Sequence, residues 1–360
     1  MFRVGIIGCG LIGKKRVQAI QKISNNDNHF GKIVLCCDID YSKACQLADL
    51  CKGEPCSSWQ EITRNKNVDV IVVSTVNKFL APIVIEALQN GKQVLCEKPL
   101  GRNVEESRAI LNTLSQASSL KPQIPLVLKT GFNHRHHPGI MKAKELVDQG
   151  EIGPLYYIRC RYGHGGRPGY DKEWRADKDL CGGGELLDQG VHVVDLFRWF
   201  MGIFEDAFGY IPTYFWDMPV EDNAFALFKT IRNQVASMHT SWTQWKNIFS
   251  FEVFGEAGYI IVDGLGGSYG PETLKIGKRP RTQSLDLRIS YEGGAPEEET
   301  IIFDGPDVSW ELEWKEFIGA IKEKRQPIGD GLDGFEANRM IEAVYRSAKE
   351  NRPVKITEIE

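Results

Sequence analysis

Asp188 and His192 stand four residues apart in the segment CGGGELLDQGVHVVDLFRWF, residues 181–200. On a helix that spacing puts a carboxylate and an imidazole on one face, about 40° apart at roughly 100° per residue. The two could meet one hydroxyl group together. The imidazole suits the proton transfer, because its ordinary pKa lies near neutrality. Gly182, Gly183 and Gly184 in front leave space for a ligand at the helix start, while Leu187, Val191, Val194 and Phe197 anchor the segment in a core. The same spacing also fits a plain i,i+4 pair with Asp195 as a further polar neighbour.

A second group of residues suits a dinucleotide. Gly8-Cys9-Gly10-Leu11-Ile12-Gly13 is G-x-G-x-x-G, set between the apolar run FRVGIIG and the amphipathic stretch LIGKKRVQAIQKI. In that context Gly8 permits the tight turn, Gly10 lets backbone approach a pyrophosphate and Gly13 lets helix pack on strand. Leu11 and Ile12 lie at the helix start, whose unpaired N–H groups would face the phosphates. Asp38 ends the second strand, KIVLCCD, where it can accept hydrogen bonds from the adenosine ribose. A carboxylate there repels a 2′-phosphate and no Arg follows directly, which favours NAD over NADP. Asp40 is the neighbouring acid that could take its place, and SNNDNHFG reads as an insertion in the loop before the strand.

The elements around these residues suggest two domains, 1–125 and 126–360, in a chain of 360 residues. The first alternates strands with helices, which implies a doubly wound parallel sheet of the Rossmann type. VDVIVVST is a continuous β-branched run, as expected of a strand covered on both faces. Beyond residue 150 come strand-like runs with short connections, GPLYYIRCRYG, NAFALFKTI, QVASMHTSWTQ, IFSFEVFG and GYIIVDG. They predict an α+β domain with a large, open, mainly antiparallel sheet. Helices are expected over 185–201 and in WELEWKEFIGAIKEK and GFEANRMIEAVYRSAKE, with a C-terminal helix packing back on the first domain. The net charge of −4 gives no basic face for nucleic acid, and no apolar run is long enough to span a membrane. Nine cysteines without a C-x-x-C pair read as reduced thiols in a cytoplasmic protein. The opening MFRVGIIGCG reads as a first strand without a signal-peptide cleavage pattern.

With Glu97-Lys98-Pro99 after the fourth main strand, and GGGELLDQGVH in the second half, the chain resembles the Gfo/Idh/MocA oxidoreductases. The likeness runs to the end, YRSAKENRPVKI. It implies a Rossmann domain followed by an open-sheet domain, and homodimers or homotetramers built through that sheet. Lys98, Asp188 and His192 fall on the family's catalytic positions. Ser74, Thr75, Asn77 and Glu97 fall on its cofactor side, with Lys98 again. The chain departs from the family at Thr75-Val76-Asn77-Lys78-Phe79-Leu80, where members often read T-P-N-x-x-H.

The resemblance implies oxidation of a secondary alcohol on a sugar, sugar derivative or cyclitol. His192 would serve as acid and base, and Lys98 would hydrogen-bond the reacting oxygen. Asp188 would position a hydroxyl and keep His192 oriented, and a cis Lys98–Pro99 bond is possible. Glu97 would support the cofactor-side loop. Asn133, Arg135, Tyr162, His164, Trp174 and Arg175 are candidates for a small polyhydroxylated substrate. The run His134, Arg135, His136, His137 lacks a convincing ligand arrangement, and the chemistry needs no metal. Two other readings are a nucleotide-sugar 3-dehydrogenase and a non-catalytic NAD(P)-binding regulator. The regulator would be expected to lose at least one of Lys98, Asp188 and His192.

Overall fold

The computed structural model describes residues 1–24, 28–120, 125–279 and 296–360. Part of the expected insertion, residues 25–27, lies outside them. The first stretch runs β1 (Arg3–Ile7), α1 (Leu11–Ser24), β2 (Lys32–Cys37), α2 (Tyr41–Cys51), β3 (Glu54–Cys56) and α3 (Trp59–Thr63). It continues through β4 (Val70–Val73), α4 (Leu80–Gln89), β5 (Gln93–Cys96), α5 (Val104–Leu120) and β6 (Leu128–Thr130). The six strands form one parallel sheet in the order β3-β2-β1-β4-β5-β6. All four residues of β4 are buried, because helices cover both faces and every side chain of Val-Ile-Val-Val finds apolar neighbours. Strand order reverses between β1 and β4, so the crevice for a dinucleotide opens at their carboxyl ends.

The second stretch comprises α6 (Pro138–Asp148), β7 (Leu155–Gly163), α7 (Lys178–Cys181) and α8 (Val191–Met201). Then come β8 (Phe204–Tyr210), β9 (Asn223–Thr230), β10 (Val235–Ser241), β11 (Ile248–Gly255), β12 (Gly258–Asp263), β13 (Glu272–Lys278) and β14 (Glu298–Phe303). The chain closes with α9 (Ser309–Glu323), α10 (Gly331–Glu350) and β15 (Val354–Lys355). Nine strands form the second sheet, ordered β14-β13-β12-β11-β7-β10-β9-β8-β15, antiparallel except where β7 and β10 run parallel. Their side chains alternate. Ile158 and Cys160 of β7 are buried under α8, while Tyr157, Arg159 and Arg161 stand on the open face. Sequence patterning had not singled out β3, α3, α6, α7, β8, β13 or β14.

Two features bear on the division into domains. β6 lies beyond residue 125 yet pairs with β5, so the division we propose between the two domains falls after Thr130. The chain also returns to its first core. Trp314, Phe317 and Ile318 of α9 pack among Val4, Ile6, Val17 and Cys36, and Trp314 Nε1 donates to the Phe30 carbonyl at 2.9 Å. α10 packs against both α5 and β8.

Candidate active site

Each glycine of the first turn has its own reason to be there. Gly8 has φ +96°, and a Cβ on it would lie 2.4 Å from the Ser74 carbonyl oxygen at the end of β4. A Cβ on Gly13 would lie 2.0 Å from the Gly8 oxygen, so α1 could not sit this close to the turn with any larger residue. Beside Gly10 nothing lies within 4 Å. That open space above the backbone is where a pyrophosphate fits, and Leu11, 71% exposed, borders it. Ser74 is tied down by donating to the Gly8 carbonyl at 2.8 Å. Asp38 accepts from the Cys9 amide of the same turn at 2.7 Å, which places its carboxylate at the crevice. Asp40 instead caps α2 through the Ser42 amide at 3.1 Å, so the two acids have separate tasks.

Lys98 stands just past β5, and the bond that follows it, Lys98–Pro99, is cis. Its Nζ donates to Asp188 Oδ1 at 2.8 Å and to the Asp188 main-chain oxygen at 2.6 Å. Arg175 Nε donates to the other carboxylate oxygen at 3.2 Å. Burial alone would raise the Asp188 carboxyl, but the charges of Lys98 and Arg175 outweigh it and hold the group well below the usual carboxylate range. Burial acts the other way on His192. Loss of water, with the Lys98 charge next, keeps that imidazole well below its ordinary value and therefore neutral. His192 stacks on His134 at 3.9 Å between ring centroids and meets Phe132 edge-on.

The turn that carries Asp188, Leu186–Gly190, is π-helical, and α-helix begins only at Val191. Asp188 and His192 are nonetheless not hydrogen-bonded to one another. Asp188 gives its oxygens to Lys98 and Arg175, while His192 Nδ1 has no hydrogen-bond partner among the described residues. The partner of Asp188 is thus Lys98. The start of the turn is held from elsewhere in the chain. Glu221 accepts from the Gly184 and Leu186 amides at 3.0 and 3.1 Å, and its main-chain oxygen accepts from the Glu185 amide at 2.9 Å.

Several other predicted residues have different duties. Asn77 Nδ2 donates to the Cys181 carbonyl at 2.8 Å, tethering the loop after β4 to the chain ahead of the three glycines. Glu97 is buried beneath the turn and paired with Arg16, which also pairs with Glu313 of α9. Arg135, expected at the substrate, is buried in a two-pronged pair with Asp195 at 2.8 and 2.6 Å and also meets Asp333. Asn133 donates to Ser309 Oγ at 3.0 Å and so holds α9. Both are buried. His134 is the member of that run that reaches His192, whereas His136 turns to Lys129 and His137 to Glu272. Among the described residues no cluster of three His, Cys, Asp or Glu side chains is placed to hold a metal ion. Tyr162 is buried against His134 and Phe249. His164 accepts from the Gly166 amide at 2.9 Å, and Trp174 underlies the Arg175 guanidinium at 4.6 Å. Of the substrate-side candidates, Arg175 alone touches the Lys98–Asp188 pair.

Known proteins share this arrangement of domains. The model of an oxidoreductase family with an NAD-binding Rossmann fold matches residues 2–120, and that of the GFO/IDH/MocA C-terminal domain matches residues 140–261. Levoglucosan dehydrogenase of Pseudarthrobacter phenanthrenivorans is 29% identical over 178 residues, 49% of this chain and 44% of that protein. D-glucoside 3-dehydrogenase of Escherichia coli is 31% identical over 56% of this chain and 54% of its own. Both alignments span about half of the relative. Inositol 2-dehydrogenase of Rubrobacter xylanophilus is 23% identical over 99% of this chain and 94% of its own. The solved structure of a levoglucosan dehydrogenase in complex with NADH has the same fold, with a TM-score of 0.86 at 22% identity and 99% coverage of both chains. The chain belongs to the Gfo/Idh/MocA oxidoreductases, a family with an NAD-binding Rossmann fold.

Proposed function

We propose that the protein is an NAD-dependent dehydrogenase that oxidises a secondary alcohol of a sugar, sugar derivative or cyclitol. The observation that carries this reading is the convergence of Lys98 from the first sheet with Asp188 and neutral His192 from the second stretch. The Gly8–Gly13 backbone would hold the pyrophosphate, with Asp38 at the adenosine ribose and Ile39, 96% exposed, beside it as an apolar surface. The cofactor, when bound, supplies the hydride acceptor. His192 takes the hydroxyl proton, which a neutral imidazole can do and a protonated one cannot. Lys98 donates to the same oxygen and favours the negative charge that develops there. Asp188, itself steadied by Arg175, keeps the Lys98 amine in place. Relatives that act on levoglucosan, inositol and D-glucosides support a polyhydroxylated substrate. The Asp38 carboxylate would repel a 2′-phosphate and so supports NAD over NADP.

Assembly and location complete the proposal. Tyr157, Val235, Leu227 and Phe225 are exposed on neighbouring strands of the nine-stranded sheet, an apolar face suited to a homodimer or homotetramer. No helix among the described residues is long and apolar enough to cross a membrane. All nine cysteines are free, which fits a reducing cytoplasm. A panel of sugars, inositols and glycosides, followed by NADH absorbance, tests the activity. Turnover of at least one with NAD is expected, and turnover of none would sink the reading.

A further inference from the structure

Beyond the Lys98–Asp188 pair, three large aromatic side chains on two loops joined by a ring contact are exposed. Tyr214 is 69% exposed, Phe215 59% and Trp245 63%. Phe215 and Trp245 meet edge-to-face at 4.8 Å. Trp245 has φ +58°, a backbone state that bulky residues rarely adopt and that recurs at binding sites. The loop beneath is not loose. Asp222, fully buried, accepts from the amides of Tyr214, Phe215 and Trp216 at 2.9, 2.8 and 3.1 Å. Glu221, its neighbour in the chain, grips the turn that carries Asp188. Two adjacent acids thus hold the aromatic loop and the reacting turn in one fixed relation.

The patch is also continuous with the site. Trp216 packs on Tyr170, and a Cβ on Gly166 would strike its ring at 2.4 Å. Tyr170 and Trp174 share a cluster with Trp242, and Arg175, next to Trp174, touches Asp188. We propose that Tyr214, Phe215 and Trp245 form a stacking platform for a second sugar ring, so that the substrate is a glycoside and not a lone monosaccharide or cyclitol. This rests on the dehydrogenase reading and narrows it. A pyranose presents an apolar C–H face above a rim of hydroxyls, and a rigid aromatic surface takes that face at little cost in side-chain entropy. The flanking charges are of both signs, Asp217 beside Trp216 and Lys246 beside Trp245. They suit a neutral ligand better than a phosphorylated one.

Titration calorimetry and steady-state rates with cellobiose, maltose and D-glucose test this on the full-length enzyme with NAD present. Wild type should bind at least one disaccharide more tightly than D-glucose. Trp245→Ala and Phe215→Ala should each weaken that disaccharide about tenfold or more, the scale of one lost hydrophobic contact. D-glucose and NAD should be unaffected. Equal affinity for mono- and disaccharides in wild type, or equal losses for both in the variants, overturns the platform. So does a fall in oligomeric mass in either variant, which would make the patch a contact between copies. If wild type binds disaccharides through these residues but oxidises no sugar, the platform stands and the dehydrogenase reading fails.

Discussion

Lys98 Nζ lies 2.8 Å from Asp188 Oδ1 and 2.6 Å from the main-chain oxygen of the same residue, so the turn before α8 grips one amine twice. The amine reaches that position from the end of β5, and no other described lysine does so. Lys98→Met should therefore bind NAD normally yet lose about 10²- to 10³-fold in kcat, the usual effect of deleting one donor to a developing oxyanion. Asp188→Asn should lower kcat as well, since it loosens the grip on Lys98. Stopped-flow turnover alongside NADH fluorescence titration separates chemistry from binding. Near-normal turnover in Lys98→Met contradicts the mechanism.

The neutral state of His192 sets a pH dependence. A base must be unprotonated to act, and burial followed by the Lys98 charge lowers the pH at which this imidazole gains a proton. The acid limb of kcat/KM for alcohol oxidation should therefore lie below about 6.5, the ordinary histidine value, with activity flat through it. His192→Asn should remove that limb together with most of the rate. A limb at or above the ordinary value in wild type would show that His192 is not the base.

The two inner glycines should fail differently. Gly13→Ala drives a methyl into the Gly8 carbonyl, so it should lower stability by about 1–3 kcal/mol and weaken NAD as well. Gly10→Ala meets open space, so its melting temperature should stay unchanged while NAD binding weakens about tenfold or more. Differential scanning calorimetry and NAD titration of both variants check the contrast.

Asp38 should govern cofactor choice. Asp38→Ala removes the acceptor for ribose hydroxyls and the charge that repels a 2′-phosphate. NAD should weaken more than NADP, shifting the ratio of their kcat/KM values toward NADP. An unchanged ratio would show that selectivity resides elsewhere.

Arg16 should govern stability. It is buried between Glu97 and Glu313, and its removal leaves two carboxylates facing each other without water. Arg16→Met should cost about 3–5 kcal/mol, the scale for breaking a buried ion pair. A urea unfolding midpoint measures it, and a loss under 1 kcal/mol would mean that the acids rearrange or protonate at little cost.

What the residues alone could disclose follows from how local each cause is. The parallel sheet was legible because its buried strands are unbroken apolar runs and its turn needs glycine at fixed offsets. Lys98, Asp188 and His192 were legible by residue type and motif. The π-turn was not, because the spacing of this stretch reads as plain α-helix. Arg135 and Asn133 have the chemistry of sugar ligands, but their partners Asp195 and Ser309 are brought to them only by the fold. His134 gave no sign beyond its neighbours that it would be the ring against His192. The contacts that place Arg135, Asn133 and His134 join distant positions, and no periodicity records them.

Seating of α9 against α1 has a consequence for synthesis. A nascent chain that has exposed only its opening third still lacks Trp314, Phe317 and Ile318, and its first core stays uncovered on one side. That domain therefore closes only after the ribosome has made α9, Ser309–Glu323. An excised dinucleotide-binding fragment would present the same oily flank to its neighbours and would need a substitute for the missing helix to remain dispersed.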